Sequence, residues 1–239
     1  MDYEILTIPC LSDNYAFLLH DNATGTTALI DAPEAAPVLA ALKARGWSLD
    51  MVLLTHHHWD HVDGLPELLA QTSPKIIGAA PDAHRLPKLD IALNEGDELA
   101  VGNLKGRVID VSGHTIHHIA YAFPGAVFTG DSLMALGCGR VFEGDMPMMY
   151  NSLQKLAALP PDTMVYSGHE YTLANGKFAQ TIEPENEALQ ARMADVERMR
   201  AAGVATVPSL LALELATNPF LRARDAAAFA RIRRAKDNF

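Results

Sequence analysis

The sequence predicts an α/β fold, with a mixed α/β domain over residues 1–170 and a small helical domain over residues 171–239. Short β-type runs alternate with turns and a few helical patterns in the first region, whereas two long helical patterns occupy the second. Of the 239 residues, 49% are hydrophobic, which is enough apolar side chain to form a substantial core and to exclude intrinsic disorder.

Short apolar runs bounded by turn residues predict the strands. In chain order these are Glu4–Ile8, Ala16–Leu19, Thr27–Ile30, Met51–Leu54, Lys75–Ala79, Arg107–Val111, Ile119–Phe123, Val127–Thr129 and Met164–Tyr166. A proline opens the first predicted helix and Gly46 ends it, because glycine readily takes the left-handed conformation that follows a helix. The predicted helices are Pro33–Arg45, Leu65–Gln71, Met148–Leu159, Glu185–Ala202 and Arg222–Asp237.

Charge and composition argue against several classes of protein. A net charge of −10 would repel a nucleic-acid backbone, so we expect no nucleic-acid partner. The longest apolar stretches, such as Ile119–Phe128, are about half the roughly 20 residues that cross a bilayer, so we expect no membrane span. Cys10 and Cys138 are too few for a disulfide framework, and residues 1–19 lack the basic start of a signal peptide. These features predict a cytoplasmic protein.

The densest group of chemically active residues is the segment Thr55-His-His-His-Trp-Asp-His61. It holds four of the ten histidines, directly after an apolar strand where such residues would pack poorly. Neutral imidazole and carboxylate are good ligands for zinc and similar divalent metals. On an extended chain residues i and i+2 point to the same side, so His56 and His58 can bind one metal. Asp60 and His61 follow as the chain turns into the next helix, and they can face a second metal.

Three further residues of ligand type lie downstream, each just past a predicted strand. They are His114 after Arg107–Val111, Asp131 after Val127–Thr129, and His169 after Met164–Tyr166. Loops that follow strands converge at one rim of a sheet, so we expect these side chains to complete the coordination that one segment cannot supply.

The histidine segment and the three spaced residues resemble the ligand pattern of the metallo-β-lactamase superfamily, whose motif is T-H-x-H-x-D-H. Within that superfamily the chain is similar to the glyoxalase II (hydroxyacylglutathione hydrolase) family over essentially its whole length. This second resemblance is carried by Gly137-Cys-Gly-Arg-Val-Phe-Glu-Gly144, Gly168-His-Glu-Tyr-Thr172, Thr217-Asn-Pro-Phe-Leu-Arg222 and, as in bacterial members, Arg233-Arg-Ala-Lys-Asp-Asn-Phe239. The metal motif selects the superfamily, and the later motifs select the family.

The resemblance implies a four-layer αβ/βα sandwich followed by a helical domain that carries part of the thioester site. It also implies two divalent metal ions, with zinc as the default and iron or manganese as alternatives for the same ligands. The implied ligands are His56, His58 and His114 for one ion, and Asp60, His61 and His169 for the other. Asp131 would bridge the ions beside a hydroxide, so that Asp60 and Asp131 are the implied catalytic residues.

By the same resemblance, the reaction is hydrolysis of S-D-lactoylglutathione and related 2-hydroxyacyl glutathione thioesters to D-lactate and glutathione, in methylglyoxal detoxification. A hydroxide held by two metals can attack the thioester carbonyl at neutral pH. A thiolate then leaves readily because a thiol pKa is about 8.5, so no strong general acid is needed. We expect a monomer whose partner is this small-molecule substrate.

A glutathione thioester is negatively charged, so a chain of net charge −10 needs local cations to bind it. The resemblance assigns substrate binding to Arg140, Phe142, Tyr171, Lys177 and Arg222. Two positions depart from the family pattern. Phe142 stands where many members have tyrosine, and Ala226 stands where some have a basic residue.

Other residues in the motifs receive supporting roles. His57 lies between two implied ligands and should face the opposite way. His118 matches a histidine of the family's H-T-x-x-H segment and is expected to support a ligand, whereas His117 replaces a residue that is often small. Cys138 lies between two glycines and is expected to be inert, since a lone cysteine seldom has catalytic chemistry.

Three alternatives stay open. A mononuclear iron glutathione persulfide dioxygenase of the same superfamily uses two histidines and an aspartate, which is a smaller ligand set than this chain offers. A β-lactamase is disfavoured by the helical C-terminal region and the lack of a secretory signal. A non-catalytic metal-binding protein is disfavoured because the two-metal pattern occurs together with substrate motifs.

Overall fold

The computed structural model describes residues 2–239, and Met1, the first residue of the predicted α/β domain, lies outside them. The chain divides into two units. The first unit extends to Asp110 and includes Ile119–Pro124, and the second comprises Val111–His118 and Gly125–Phe239. Both units contain strands, and helices dominate the C-terminal part of the second, so the predicted α/β class with a helical C-terminal region is confirmed.

The first unit carries most of the strands. They are β1 (Tyr3–Cys10), β2 (Asn14–Asp21), β3 (Thr27–Ile30), β4 (Met51–Leu53), β5 (Lys75–Ala79), β6 (Ile91–Leu93), β7 (Glu98–Val101), β8 (Leu104–Asp110) and β9 (Ile119–Phe123). Its helices are α1 (Ala35–Arg45), α2 (Trp59–Val62) and α3 (Leu65–Leu69), and a 3₁₀ turn spans Ala80–Asp82. The predicted helix at Leu65–Gln71 is therefore shorter than expected.

Strands β1 to β6 form one sheet in sequence order. Antiparallel pairing joins β1 to β2 and β2 to β3, and parallel pairing then joins β3, β4, β5 and β6. Every side chain of β2 and β3 is buried, which matches their almost continuous apolar runs. Ile30 pairs with Leu53, so the loops after β3 and β4 start side by side. Strands β7, β8 and β9 pair in an antiparallel meander.

Two glycines shape the ends of helices in the first unit. Gly46 has φ 67° and its N–H donates to the carbonyl of Lys43 at 3.2 Å, so the predicted end of α1 is confirmed. Gly64 donates its N–H to the carbonyl of Ala32 at 2.9 Å. A Cβ at position 64 would lie 2.8 Å from that oxygen, so only glycine permits the approach. This contact holds the end of the histidine segment against the loop after β3.

The second unit contains β10 (Ala126–Gly130), β11 (Leu133–Met134), β12 (Gly137–Cys138), β13 (Met164–Ser167) and β14 (Ser209–Leu210). Its helices are α4 (Met146–Ala157), α5 (Thr172–Ile182), α6 (Glu187–Ala201), α7 (Leu211–Thr217) and α8 (Ala226–Asp237). β10 pairs in parallel with β13, β13 pairs antiparallel with β14, and β11 and β12 form a hairpin. Gly130 pairs with Ser167, so Asp131 and His169 follow neighbouring strand ends.

Side-chain caps move the start of both predicted C-terminal helices. The Asn186 side chain accepts the N–H of Leu189, so α6 begins at Glu187 rather than at residue 185. The Asp225 side chain accepts the N–H of Ala228, so the helix predicted from Arg222 begins only at Ala226. That correction leaves Arg222 in the loop before α8.

Helix α5 was not predicted, because Gly176 lies in its middle and glycine disfavours helices. A Cβ at Gly176 would lie 2.0 Å from the sulfur of Met193, so the glycine lets α5 pack closely on α6. No helix among residues 2–239 is both long enough and apolar enough to cross a lipid bilayer.

Candidate metal centre

The histidine segment leaves the sheet at the end of β4 and turns into α2. In the first unit, three pairs of side chains have potential ligand atoms within 4.8 Å of each other. These pairs are His56 with His58, His56 with His61, and Asp60 with His61. The rings of His56 and His61 are 4.2 Å apart between centroids. The i, i+2 spacing predicted from an extended chain therefore brings His56 and His58 together.

A buried carboxylate sets the tautomers of two of these histidines. Nδ1 of His61 lies 2.8 Å from Oδ2 of Asp31, which can only accept, so Nδ1 carries the proton. The hydroxyl of Thr55 donates to the same oxygen at 2.9 Å. With its proton so used, Thr55 Oγ1 accepts from Nδ1 of His56 at 3.0 Å. Both rings therefore present Nε2 as the lone-pair nitrogen that a metal requires.

Asp31 is a functional residue that the sequence argument missed. It has φ 56°, in the left-handed region that aspartate tolerates better than most residues. Its Oδ1 also accepts the N–H of Thr55 at 2.8 Å, so the three hydrogen bonds to its carboxylate all come from Thr55 and His61 of the histidine segment. An acid placed directly after an apolar strand was the signal used for Asp131, and Asp31 carries the same signal after Thr27–Ile30.

Asp60 is oriented by a neighbouring strand. The Asn14 side chain, at the start of β2, donates to the Asp60 carboxylate at 3.1 Å and to its carbonyl at 3.0 Å. His57 takes a different partner: its Nδ1 lies 3.2 Å from Oδ2 of Asp82, a fully buried carboxylate. His57 thus contacts the 3₁₀ turn after β5, in agreement with the supporting role predicted for it.

The second unit holds the other three predicted ligands around one oxygen atom. Oδ2 of Asp131 lies 3.2 Å from Nε2 of His169 and 3.5 Å from Nε2 of His114. All three side chains are almost completely buried. A carboxylate that faces two imidazole nitrogens is placed as a bridging ligand would be.

The surroundings of Asp131 and His114 fix their orientation. Nδ1 of His114 donates to the carbonyl of Arg140 at 2.8 Å, which leaves Nε2 as the lone-pair nitrogen. Nε2 of His118 accepts the N–H of Asp131 at 3.1 Å, so His118 supports a predicted ligand through its backbone. A Cβ at Gly139 would lie 2.0 Å from the carbonyl oxygen of Asp131, so this position requires glycine.

His169 follows β13 and is covered by an aromatic ring. Tyr171 stacks on it with centroids 4.6 Å apart and planes 7° from parallel. Glu170, which lies between His169 and Tyr171 in the sequence, accepts the N–H of Thr206 at 2.8 Å and pairs with Arg200 at 3.3 Å. These contacts anchor the His169 loop to the segment that leads into β14.

The donor set in each unit suits a divalent cation. His56, His61 and His114 each use Nδ1 in a hydrogen bond, which leaves Nε2 to face a cation, and carboxylates accompany them. Metal-binding histidines typically donate their other ring nitrogen to a carboxylate or a carbonyl, as His61 and His114 do here. The chemistry of both ligand groups therefore fits the metal that the sequence predicts.

The residues predicted to bind substrate are all solvent-accessible residues of the second unit. Phe142 is 61% exposed with its ring 5.2 Å from that of His114, and Arg140 lies 3.7 Å from the Asp237 carboxylate. Lys177 is exposed on α5. Arg222 donates from Nε to both carboxylate oxygens of Glu183, at 2.8 and 2.9 Å. Arg222 is therefore held by an acid, a contact that the sequence did not predict.

Two other residues from the motifs have defined environments. His117 has φ 68°, a left-handed conformation that explains why a small residue suits this position, and its N–H donates to Ser112 Oγ at 2.9 Å. Burial raises the pKa of the Cys138 thiol to about 11, so it is protonated at neutral pH. That supports the inert role predicted for Cys138.

Comparison with known proteins covers the whole chain. The metallo-β-lactamase superfamily model matches residues 14–169, and the hydroxyacylglutathione hydrolase C-terminus model matches residues 170–239. A hydroxyacylglutathione hydrolase from Ruegeria pomeroyi is 57% identical over 100% of both chains. Another, from Jannaschia sp., is 63% identical over 93% of this chain and 88% of its own.

Solved structures show the same fold. ETHE1 from Myxococcus xanthus is 28% identical, with a TM-score of 0.74 over 98% of this chain and 90% of its own. TTHA1623, solved in a di-iron-bound form, is 25% identical, with a TM-score of 0.63 over 91% of this chain and 100% of its own.

Proposed function

The chain belongs to the hydroxyacylglutathione hydrolase family of the metallo-β-lactamase superfamily, and we propose that it hydrolyses S-D-lactoylglutathione and related 2-hydroxyacyl glutathione thioesters. The products are D-lactate and glutathione, and the reaction serves methylglyoxal detoxification. The observation that carries the proposal is the Asp131 carboxylate, which faces His169 and His114 through one oxygen. Relatives with the same assigned activity match over the full chain length.

We propose that two divalent metal ions bind to both ligand groups together. His56, His58 and His114 would hold one ion, Asp60, His61 and His169 would hold the other, and Asp131 would be shared by both. A relative crystallised with two irons supports this nuclearity. Zinc is the proposed metal because it prefers imidazole and carboxylate ligands, although iron and manganese suit the same set.

Two bound cations supply a nucleophile at neutral pH and polarise the thioester carbonyl. The protein's own groups set the geometry. Asn14 donates to the Asp60 carboxylate and so fixes which oxygen can orient the attacking water. Asp31 holds His61 in the tautomer that leaves Nε2 free of a proton. A strong general acid is not required, since the leaving thiolate has a conjugate acid pKa of about 8.5.

Substrate binding is proposed for the residues around the second ligand group. The net charge of −10 opposes the approach of a negatively charged substrate. Local positive charge for its binding is supplied by Arg140, Lys177 and Arg222. Tyr171 and Phe142 present aromatic surface beside His169 and His114. In this proposal residues 1–170 form the catalytic domain and residues 171–239 the glutathione-thioester domain, a division supported by the boundary of the two family models.

The relatives favour the hydrolase over the persulfide dioxygenase. Two relatives named hydroxyacylglutathione hydrolase are 57% and 63% identical to this chain over 93–100% of its length. A mononuclear iron site also needs fewer ligands than the sequence offers. We also propose that the protein is a monomer in the cytoplasm, with no nucleic-acid or membrane partner.

The deciding experiment combines metal analysis with a thiol-release assay on the purified protein. Two metal equivalents, and release of free thiol from S-D-lactoylglutathione that chelation abolishes and zinc restores, are the expected result. Full activity after complete metal removal would overturn the mechanism. Oxygen uptake with glutathione persulfide, without thioester hydrolysis, would identify the dioxygenase instead. Metal binding without either activity would identify a non-catalytic protein.

A further inference from the structure

The hairpin of β11 and β12 lies between one proposed metal ligand, Asp131, and Arg140, whose carbonyl contacts a second proposed ligand, His114. It starts two residues after Asp131 and ends just before Gly139 and Arg140. Gly139 donates its N–H to the carbonyl of Ser132 at 3.0 Å, and the Arg140 carbonyl accepts from His114. The position of this hairpin therefore sets the backbone that packs against both ligands.

Local sequence does not favour the hairpin. Its turn residues are Ala135 and Leu136, and Leu136 has φ 57°, a conformation that favours glycine or asparagine. The strands are two residues long, so their own ladder supplies few hydrogen bonds. Contacts from elsewhere in the second unit must hold the turn in place.

Helices of the C-terminal region supply those contacts. The Asn218 side chain donates to the carbonyls of Met134 and Gly137 at 3.1 and 2.9 Å. The N–H of Leu136 donates to Oε2 of Glu214 at 2.9 Å, and Asn218 also donates to that oxygen at 3.1 Å. Glu214 and Asn218 are fully buried, so these bonds are shielded from water.

The buried charge of Glu214 is compensated within the same group. Arg192, itself 6% exposed, forms an ion pair with Glu214 and donates to the hydroxyl of Thr217 at 2.7 Å. The Leu136 side chain packs against α5 and α6 through Ala179, Leu189 and Met193. The turn is thus held by polar bonds and by apolar packing.

We infer that Arg192, Glu214 and Asn218 form a brace that positions Asp131 and His114 for metal binding. These are positioning residues, because none of them contacts the proposed ligands directly. The inference rests on the proposed function, since it takes Asp131 and His114 as ligands. It gives the C-terminal helices a role in metal affinity besides the proposed role in substrate binding.

The test is the affinity of the folded, metal-free protein for Zn²⁺, measured by competition with a chromogenic chelator. Asn218→Ala removes both bonds to the hairpin carbonyls, and we expect the affinity to fall about ten- to a hundredfold, as for other residues that orient metal ligands. Asn175→Ala removes one bond, to the carbonyl of Ala135 at 3.2 Å, and should give a smaller loss. If Asn218→Ala does not fold, the Asn175 variant decides.

Asn186→Ala is the matched control. Asn186 is a half-buried asparagine of the same C-terminal region, where it caps α6 and donates to the carbonyl of Ala216 at 3.0 Å. Its side-chain partners are Glu183, Leu189 and Ala216 rather than residues of the hairpin, so Asn186→Ala should lower the unfolding temperature and leave Zn²⁺ affinity unchanged. Equal affinity losses in the Asn186 and Asn218 variants, or none in Asn218→Ala and Asn175→Ala, would overturn the brace. A wild-type protein that binds no Zn²⁺ would instead overturn the proposed function.

Discussion

Nδ1 of His61 lies 2.8 Å from Oδ2 of Asp31, and this oxygen also accepts the Thr55 hydroxyl. Through Thr55 the same carboxylate orients His56. The Asp31 carboxylate accepts three hydrogen bonds from donors in the histidine segment. One acid at the end of β3 therefore sets the protonation pattern of two proposed ligands.

We expect Asp31→Asn to weaken Zn²⁺ affinity about ten- to a hundredfold. In one orientation the new amide NH₂ would face the Thr55 N–H, and in the other it would face the His61 ring and the Thr55 hydroxyl. All of these groups are donors, so one hydrogen-bond donor would face another in either orientation. Asparagine tolerates the left-handed conformation of residue 31, so the backbone should survive. Chelator competition on the folded variant measures the loss.

Asp21→Asn provides the control for that prediction. Asp21 is a buried carboxylate of the same unit that accepts from Ala23, Thr24 and Asn103, none of which is a proposed ligand. The variant should be less stable, because a hydrogen-bond acceptor is disrupted, and its Zn²⁺ affinity should be unchanged. Equal affinities in wild type and Asp31→Asn would show that Asp31 only holds the fold.

Asp131→Ala should abolish hydrolysis and reduce bound metal below two equivalents. The Asp131 carboxylate faces both His114 and His169, so its removal weakens both proposed sites. His57→Ala should leave the stoichiometry near two, because His57 contacts Asp82. Metal analysis of the two variants decides, and similar losses in both would mean that the wrong face of the histidine segment has been assigned.

His117→Gly should stabilise the protein by about 1 kcal/mol. His117 has a left-handed backbone, and glycine removes the strain that this conformation costs a residue with a Cβ. This gain exceeds the stability lost because glycine makes the unfolded chain more flexible. The bond from the residue 117 N–H to Ser112 is kept, since it uses the backbone. Urea unfolding measures the difference in the free energy of unfolding. His84→Gly is the control, because His84 is exposed and does not have a positive φ, and this variant should be destabilised. A loss of stability in His117→Gly would mean that the imidazole contributes more than the strain costs.

Sequence patterns predicted the parts of this protein that depend on local order. Thr27–Ile30, Lys75–Ala79 and Ile119–Phe123 form strands with the predicted bounds, because apolar runs between turn residues have few alternatives. The spacing of His56 and His58 likewise follows from backbone geometry alone.

Contacts between residues distant in sequence could not be predicted in this way. Arg192 is buried and paired with Glu214, whereas Arg198 on the same helix has a side chain that is 74% exposed. Both are arginines in one helical pattern, and only tertiary packing distinguishes them. The Glu183 partner of Arg222 was missed for the same reason, because 39 residues separate the two.

The pair of Arg222 and Glu183 leads to the prediction for substrate recognition. Arg222→Ala should raise KM for S-D-lactoylglutathione about ten- to a hundredfold, with a smaller effect on kcat. A charge-assisted hydrogen bond contributes roughly 1.5–3 kcal/mol, and a residue remote from the carbonyl affects binding more than chemistry.

A small thioester without the glutathione carboxylates separates binding from folding, because its hydrolysis should be almost unchanged in Arg222→Ala. Arg224→Ala is the matched control, since Arg224 is an 82% exposed side chain that pairs with its neighbour Asp225 at 3.4 Å. Its KM should equal the wild-type value. The surface ion pair with Glu183 contributes at most about 1 kcal/mol to stability, so the Arg222 variant should remain folded. Comparable losses on the large and small substrates would show that Arg222 supports the fold and that another cation binds the glutathione carboxylate.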